Sequence, residues 1–93
     1  MQIEFDPRKQ ALTLRHRDLD FADCLAAFSG LSFTFADARK AYGEDRFITL
    51  AFLGQRLVVI VWTPRGAARR IISMRKANAR EIQKFNQALD RSG

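Results

Sequence analysis

Ninety-three residues, 47% of them apolar and eight of them Phe, suffice for one packed domain and do not fit a disordered tail. Charge is unevenly placed: residues 1–45 carry six Lys/Arg against eight Asp/Glu, net −2, and residues 46–93 carry ten against two, net +8, which turns the second half toward a polyanion. No apolar run nears the ~20 residues of a membrane span, residues 1–20 are too charged for a signal peptide, and one Cys and one His argue against a disulfide or a side-chain zinc site.

In chain order, residues 2–5 alternate weakly, as a short strand does. Asp6-Pro7 predicts a helix start, because Asp takes up a free N–H and Pro at the first helical position forfeits no hydrogen bond. Phe5 is placed to staple onto the first turn. The helix runs to about Arg17, with Ala11 and Leu14 facing inward and Arg15, His16 and Arg17 at the negative end of the macrodipole. Asp20 starts a second helix, in which Phe21, Leu25 and Phe28 recur at i, i+4, i+7 as a buried stripe, and Gly30 stops it. Residues 31–35 alternate strictly and predict a half-buried strand, followed by a loop over 36–45 with room for one helical turn. Strands at 47–53 and 56–63 flank Gly54-Gln55, a pair suited to a type II′ hairpin. Residues 64–68 form the next turn and 69–75 the last strand. Asn78 with Glu81 three residues on is a capping box, and Ile82, Phe85 and Leu89 give the final helix one apolar stripe. No linker or repeat divides the chain, so residues 1–93 read as one domain. The single Cys24 suits a reducing cytoplasm.

A period of two puts Arg69, Ile71, Ser73 and Arg75 on one face of the last strand and Arg70, Ile72 and Met74 on the other. The first face offers two guanidinium forks and a hydroxyl. Such a row can grip phosphate oxygens and stabilise charge on a breaking phosphodiester. It can equally serve to keep a sheet edge soluble. Glu44 beside Arg46 is either a general base held by an ion pair or a surface salt bridge. Tyr42 and Trp62 could stack on an unpaired base, although Trp62 in an apolar strand suits the core. His16, alone between Arg15 and Arg17, is a candidate acceptor for the proton of a 2′-hydroxyl, or a surface residue at a helix end. No Gly-rich phosphate loop, His/Cys cluster or nucleophilic triad is present, which argues against nucleotide hydrolases and metalloenzymes.

Taken in order, the opening IEFDPRK, the helix ending in a basic His-containing turn, Phe21-Ala22, Gly43-Glu44-Asp45-Arg46, the strand VVIVWTPRG and the run RIISMRKANAREI resemble the BrnT toxins. These are the toxin halves of type II toxin–antitoxin pairs. The resemblance covers residues 3 to about 85, and its most specific part is RIISMRKA at 70–77 with Glu81 at the family's spacing. It implies a RelE-like α/β (α+β) fold: a mainly antiparallel four-stranded sheet with two N-terminal helices and one C-terminal helix. It also implies a bacterial, cytoplasmic endoribonuclease that cuts RNA with neither metal nor cofactor. The implied partner is a BrnA-like ribbon-helix-helix antitoxin, in a heterotetramer of two toxins and two antitoxins.

Lys9, Glu44, Arg46, Arg65, Ser73, Arg75 and Glu81 match family motif positions. The resemblance assigns Arg46, Arg65 and Arg75 to the phosphate and Glu44 to the base, with His16 a further catalytic candidate. Lys9, Arg17, Arg69, Ser73 and Lys76 are candidate RNA contacts, and Glu81 can be read as a helix cap alone. One departure stands out. The family shows Asn-x-x-Lys-His-Gly at the end of the first helix, where this chain has Thr13-Leu14-Arg15-His16-Arg17-Asp18. The His is displaced by one residue, roughly 100° around a helix, and Asp18 must end the helix in place of Gly. Two other readings stay open: a relative that binds RNA or a partner without cleaving, and a structural protein whose charge answers an acidic partner.

Overall fold

The computed structural model describes residues 1–92. Among them are strands β1 (Gln2–Phe5), β2 (Ser32–Ala36), β3 (Phe47–Leu53), β4 (Arg56–Arg65) and β5 (Ala68–Lys76), and helices α1 (Pro7–Arg17), α2 (Cys24–Ser29) and α3 (Ala79–Ser92). A 3₁₀ turn, Phe21–Asp23, leads into α2. The fold class is α+β, and the expected four-stranded antiparallel sheet is corrected to a five-stranded mixed one, in the order β1-β5-β4-β3-β2. The added strand is β1, which runs parallel to β5 from Gln2 opposite Ala68 to Phe5 opposite Ile71. Four residues pairing with a partner 66 positions away leave little local pattern to read, while the packing of Ile3 and Phe5 against the core holds the strand there.

Both hairpins turn on two residues. Leu53 pairs with Arg56 around Gly54 at φ +63°, and Arg65 pairs with Ala68 around Gly66 at φ +58°. A left-handed first turn position suits glycine and matches the twist of the strands. The second turn is therefore tighter than residues 64–68. Pro64 stays in β4, beyond Trp62 where β3 pairing ends, a position that tolerates a missing N–H.

Helix α1 begins as expected, with the Asp6 carboxylate accepting from the Arg8 N–H at 2.9 Å. It ends on Asp18 in the left-handed region, φ 57° and ψ 38°. Its inward face is not the expected one. No α1 residue is buried, Ala11 is exposed and Leu14 is 45% exposed. The reason lies in the sheet: β1 leaves β5 at Ile71, so beyond that point α1 meets a strand edge rather than an apolar surface. It docks there through polar groups, with Gln10 Nε2 donating to Asp20 at 2.8 Å and Arg17 Nη1 donating to the Met74 carbonyl at 2.9 Å.

The second N-terminal helix is out of phase with its expected stripe. Its first turn has the 3.0-residue period of a 3₁₀ helix, so Phe21 aligns with Cys24, and the buried set becomes Phe21, Cys24, Ala27 and Phe28 while Leu25 is 40% exposed. Gly30 does end the helix, in an extended rather than left-handed conformation. These residues cover one sheet face, packing on Ala51, Val58, Ile60, Trp62, Ile71 and Met74. Trp62 is core: its ring stacks on Phe47 at 5.0 Å, and its indole N–H donates to Thr49 Oγ1 at 2.8 Å. On the other face Phe85 of α3 is buried against Leu50, Leu57 and Val59. Of the apolar stripe on α3, Ile82 stays exposed and Leu89 half-buried. Thus α3 covers one end of that face and leaves the rest open.

Candidate functional site

The open face owes its chemistry to a β-bulge. Ladder pairing shifts between Val61 opposite Ser73 and Trp62 opposite Ile71, so Ile72 is the extra residue. A bulge interrupts strict alternation. Ile71 and Met74 therefore both point into the first core, whereas Ser73 and Arg75, opposite Val61 and Val59, fall on the face shared with α3. The expectation that Arg69 shares a face with Ser73 and Arg75 is thereby corrected. Arg69 lies opposite Pro64 on the other side, its guanidinium 4.2 Å from the Trp62 ring and 4.6 Å from the Phe28 ring. Burial pushes its pKa down. Lys76, opposite Val58 of the first core, also leaves the open face. Arg70 joins that face instead and meets Glu4 at 3.4 Å.

A groove of about 370 Å³ runs beside α3, floored by Ile48, Val59, Val61 and Ser73 and rimmed by Arg39, Arg75, Arg80, Lys84 and Glu81. Arg75 meets Glu81 through two parallel bonds of 2.8 Å. That contact raises the pKa of Arg75 and lowers that of Glu81. Glu81 is the helix cap as well, exchanging 2.9 Å bonds with Asn78 in a reciprocal capping box. Arg39 comes from the irregular segment between β2 and β3, where sequence reading singled out Tyr42, Glu44 and Arg46 but not Arg39. An Asp two residues before an Arg in a loop is a common surface pattern, so nothing in the sequence singled it out.

A second groove, about 410 Å³, lies between α1 and the free edge of β5. It is lined by Lys9, Leu12, Thr13, His16, Arg17, Ile72 and Ser73. The one-residue displacement of His16 does not remove it, because His16 and Arg17 both line this groove. Ser73 lines both grooves and is where they meet.

A third cluster forms around Glu44, which is 3.0 Å from Arg46 and 3.8 Å from Arg65. The Arg46 guanidinium lies 3.9 Å from the centre of the Tyr42 ring, and residues 36, 37 and 40–47 line a basin of about 530 Å³ there. The structure thus brings Arg46 and Arg65 together on one carboxylate and puts Arg75 in the groove beside α3. The two ends of the loop are closed by the Asp37 N–H donating to the Arg46 carbonyl at 2.8 Å, and Thr63 Oγ1 of β4 ties the loop to the sheet by donating to the Asp45 carbonyl at 2.6 Å.

Among the described residues no three His, Cys, Asp or Glu side chains converge as a metal site would require, and no helix is long and apolar enough to cross a membrane. No curated protein matches the chain. The family model for the ribonuclease toxin BrnT, of type II toxin–antitoxin systems, matches residues 5–81.

Proposed function

The chain belongs to the BrnT family of ribonuclease toxins of type II toxin–antitoxin systems, and from that membership we propose a metal-independent endoribonuclease that cuts RNA where the two grooves meet. The observation that supports this reading is that Ser73 lines both grooves, one of which holds His16 of α1 and the other Arg75 of β5. In the proposed step the 2′-oxygen attacks the adjacent phosphorus. The new bond is 2′-O–P, the bond to the 5′-oxygen breaks, and the products are a 2′,3′-cyclic phosphate and a 5′-hydroxyl. His16 accepts the 2′-proton, and the leaving oxygen takes a proton from solvent. Arg75 stabilises the charge that grows on the phosphate oxygens.

Glu44 has both oxygens engaged by Arg46 and Arg65, which suits a residue that holds two phosphate-binding guanidinium groups more than it suits a base. Lys9 and Arg17 would hold the strand along α1. Membership in a type II family implies an antitoxin partner. We assign a BrnA-like ribbon-helix-helix protein to that role, in a two-plus-two complex in the bacterial cytoplasm.

The test is incubation of the pure chain with single-stranded RNA in EDTA and identification of the fragment ends. Cyclic phosphate ends, and a drop of about 10²–10³ in rate for Arg75→Ala, support the mechanism. Undiminished cleavage by Arg75→Ala refutes it. One observation favours a second reading, RNA binding without cleavage: Arg17 stands where the family has its His, and its guanidinium is tied to the Met74 carbonyl. RNA retained on the protein with no fragments formed would select that reading.

A further inference from the structure

Asp37 is the most enclosed carboxylate on the open side of the sheet. Its side chain is 0% exposed, and it grips Arg39, itself 62% exposed, through bonds of 2.7 Å to Nε and 2.7 Å to Nη2. The Arg39 N–H adds a third contact to the same carboxylate at 3.2 Å. Burying a carboxylate is costly unless it is paired and hydrogen-bonded. A pair kept in a loop that contributes nothing to either core has something else to do. The side-on grip occupies the Nε and Nη2 edge of the guanidinium, with the Tyr42 hydroxyl hydrogen-bonded to the same pair, and the Arg39 side chain still stands 62% exposed. Arg39 lines the groove that contains Ser73 and Arg75. Arg75 is arranged the other way, with both terminal nitrogens already on Glu81. The two guanidinium groups are near enough that the charge of Arg39 opposes that of Arg75.

We propose that Arg39, oriented by the buried Asp37, forms a second phosphate subsite in the groove and binds the phosphodiester next to the one held by Arg75. The subsite rests on the RNA-binding reading of the groove and adds to it a strand direction, from the Ser73 junction toward the loop before β3. Arg39 is then a binding residue and Asp37 a positioning residue. A planar fork fixed from behind presents its donors to phosphate without having to order itself first.

The probe is a ten-nucleotide oligodeoxythymidylate, which has phosphates but no 2′-hydroxyl and so reports binding apart from cleavage. Its affinity is measured across a salt series. Each phosphate contact on a single strand contributes roughly 0.7 to the slope of log K against log salt. Arg39→Ala is expected to lose about tenfold in affinity and to lower the slope by about 0.7. Asp37→Asn keeps the cation but frees it, so affinity falls while the slope stays. Arg39→Lys restores the slope without the full affinity. The double variant Asp37→Asn/Arg39→Ala removes any unpaired carboxylate and should match Arg39→Ala. An unchanged slope in both Arg39→Ala and the double variant overturns the subsite. Arg39-dependent binding without RNA cleavage sinks the nuclease reading alone, and RNA cleavage with an Arg39-independent slope sinks the subsite alone.

Discussion

Replacing Phe85 with Ala tests whether α3 is held by a single side chain. Phe85 is 1% exposed, while Ile82 on the same helix is 43% exposed. Its ring meets Phe33 at 5.2 Å and Phe52 at 5.3 Å, both edge-on. Truncating a buried Phe costs about 3–5 kcal/mol, and aromatic pairs add about 0.5–1.5 kcal/mol each. Phe52 is 41% exposed, so water can enter the vacated space and the loss should fall near the lower end, at about 3 kcal/mol. A chain of 93 residues is stable by roughly 5–14 kcal/mol in all, so the change is a large share of the total. Urea denaturation followed by circular dichroism measures it, with Ile82→Ala as a control expected to cost under about 1 kcal/mol. A loss below about 1 kcal/mol for Phe85→Ala, or an equal loss for Ile82→Ala, would refute the single-anchor reasoning. RNA binding should fall as well, because Arg80, Glu81 and Lys84 reach the groove from the first turns of α3.

Asp37, held at about 2 by the Arg39 contact instead of the ordinary 3.8, contributes stability that is fully present above pH 4 and vanishes as pH falls through 2. At ~1.4 kcal/mol per pH unit the ceiling is about 2.5 kcal/mol, and solvent around the exposed Arg39 reduces it to about 1 kcal/mol. The gap between the wild type and Asp37→Asn should therefore close between pH 4 and pH 2, and a gap that persists at pH 2 would count against the pair. Asp18→Gly should raise stability by up to ~1 kcal/mol in thermal melts, since Asp18 occupies the left-handed region at φ 57°; a loss would mean that its side chain has another role. Thr49→Val removes the acceptor of the Trp62 indole N–H and should cost about 1–3 kcal/mol with a change in tryptophan emission, whereas Thr34→Val at the exposed sheet edge should cost less.

Where residues were legible in the sequence, the signal was local. Asp6-Pro7, Gly54-Gln55 and the Asn78–Glu81 box each act within four residues, and each forms as expected. The apolar strand around Trp62 was read as suiting Trp62 to the core, and Trp62 is buried there. The phase of the second helix was missed for a local reason, its 3₁₀ first turn, whereas most other misses depended on a distant partner. The parallel pairing of β1 rests on β5, and the polar docking of α1 rests on where β1 ends. The bulge at Ile72 leaves no mark in a run of Ile, Ser and Met, yet it decides whether Arg69 or Arg70 accompanies Arg75. The family resemblance pointed to Ser73, Arg75 and Glu81, which line the groove beside α3, but not to Arg39, whose setting comes from tertiary contacts of an irregular loop.

The parallel partnership of the first and last strands also sets a schedule for synthesis. Gln2 waits for Ala68, a gap of 66 residues that takes roughly 3–13 s to cross at about 5–20 residues per second. Until then Ile3 and Phe5 have no sheet to join, and α1 has no strand edge to lie along. The groove between α1 and β5 therefore cannot assemble before β5 has been made.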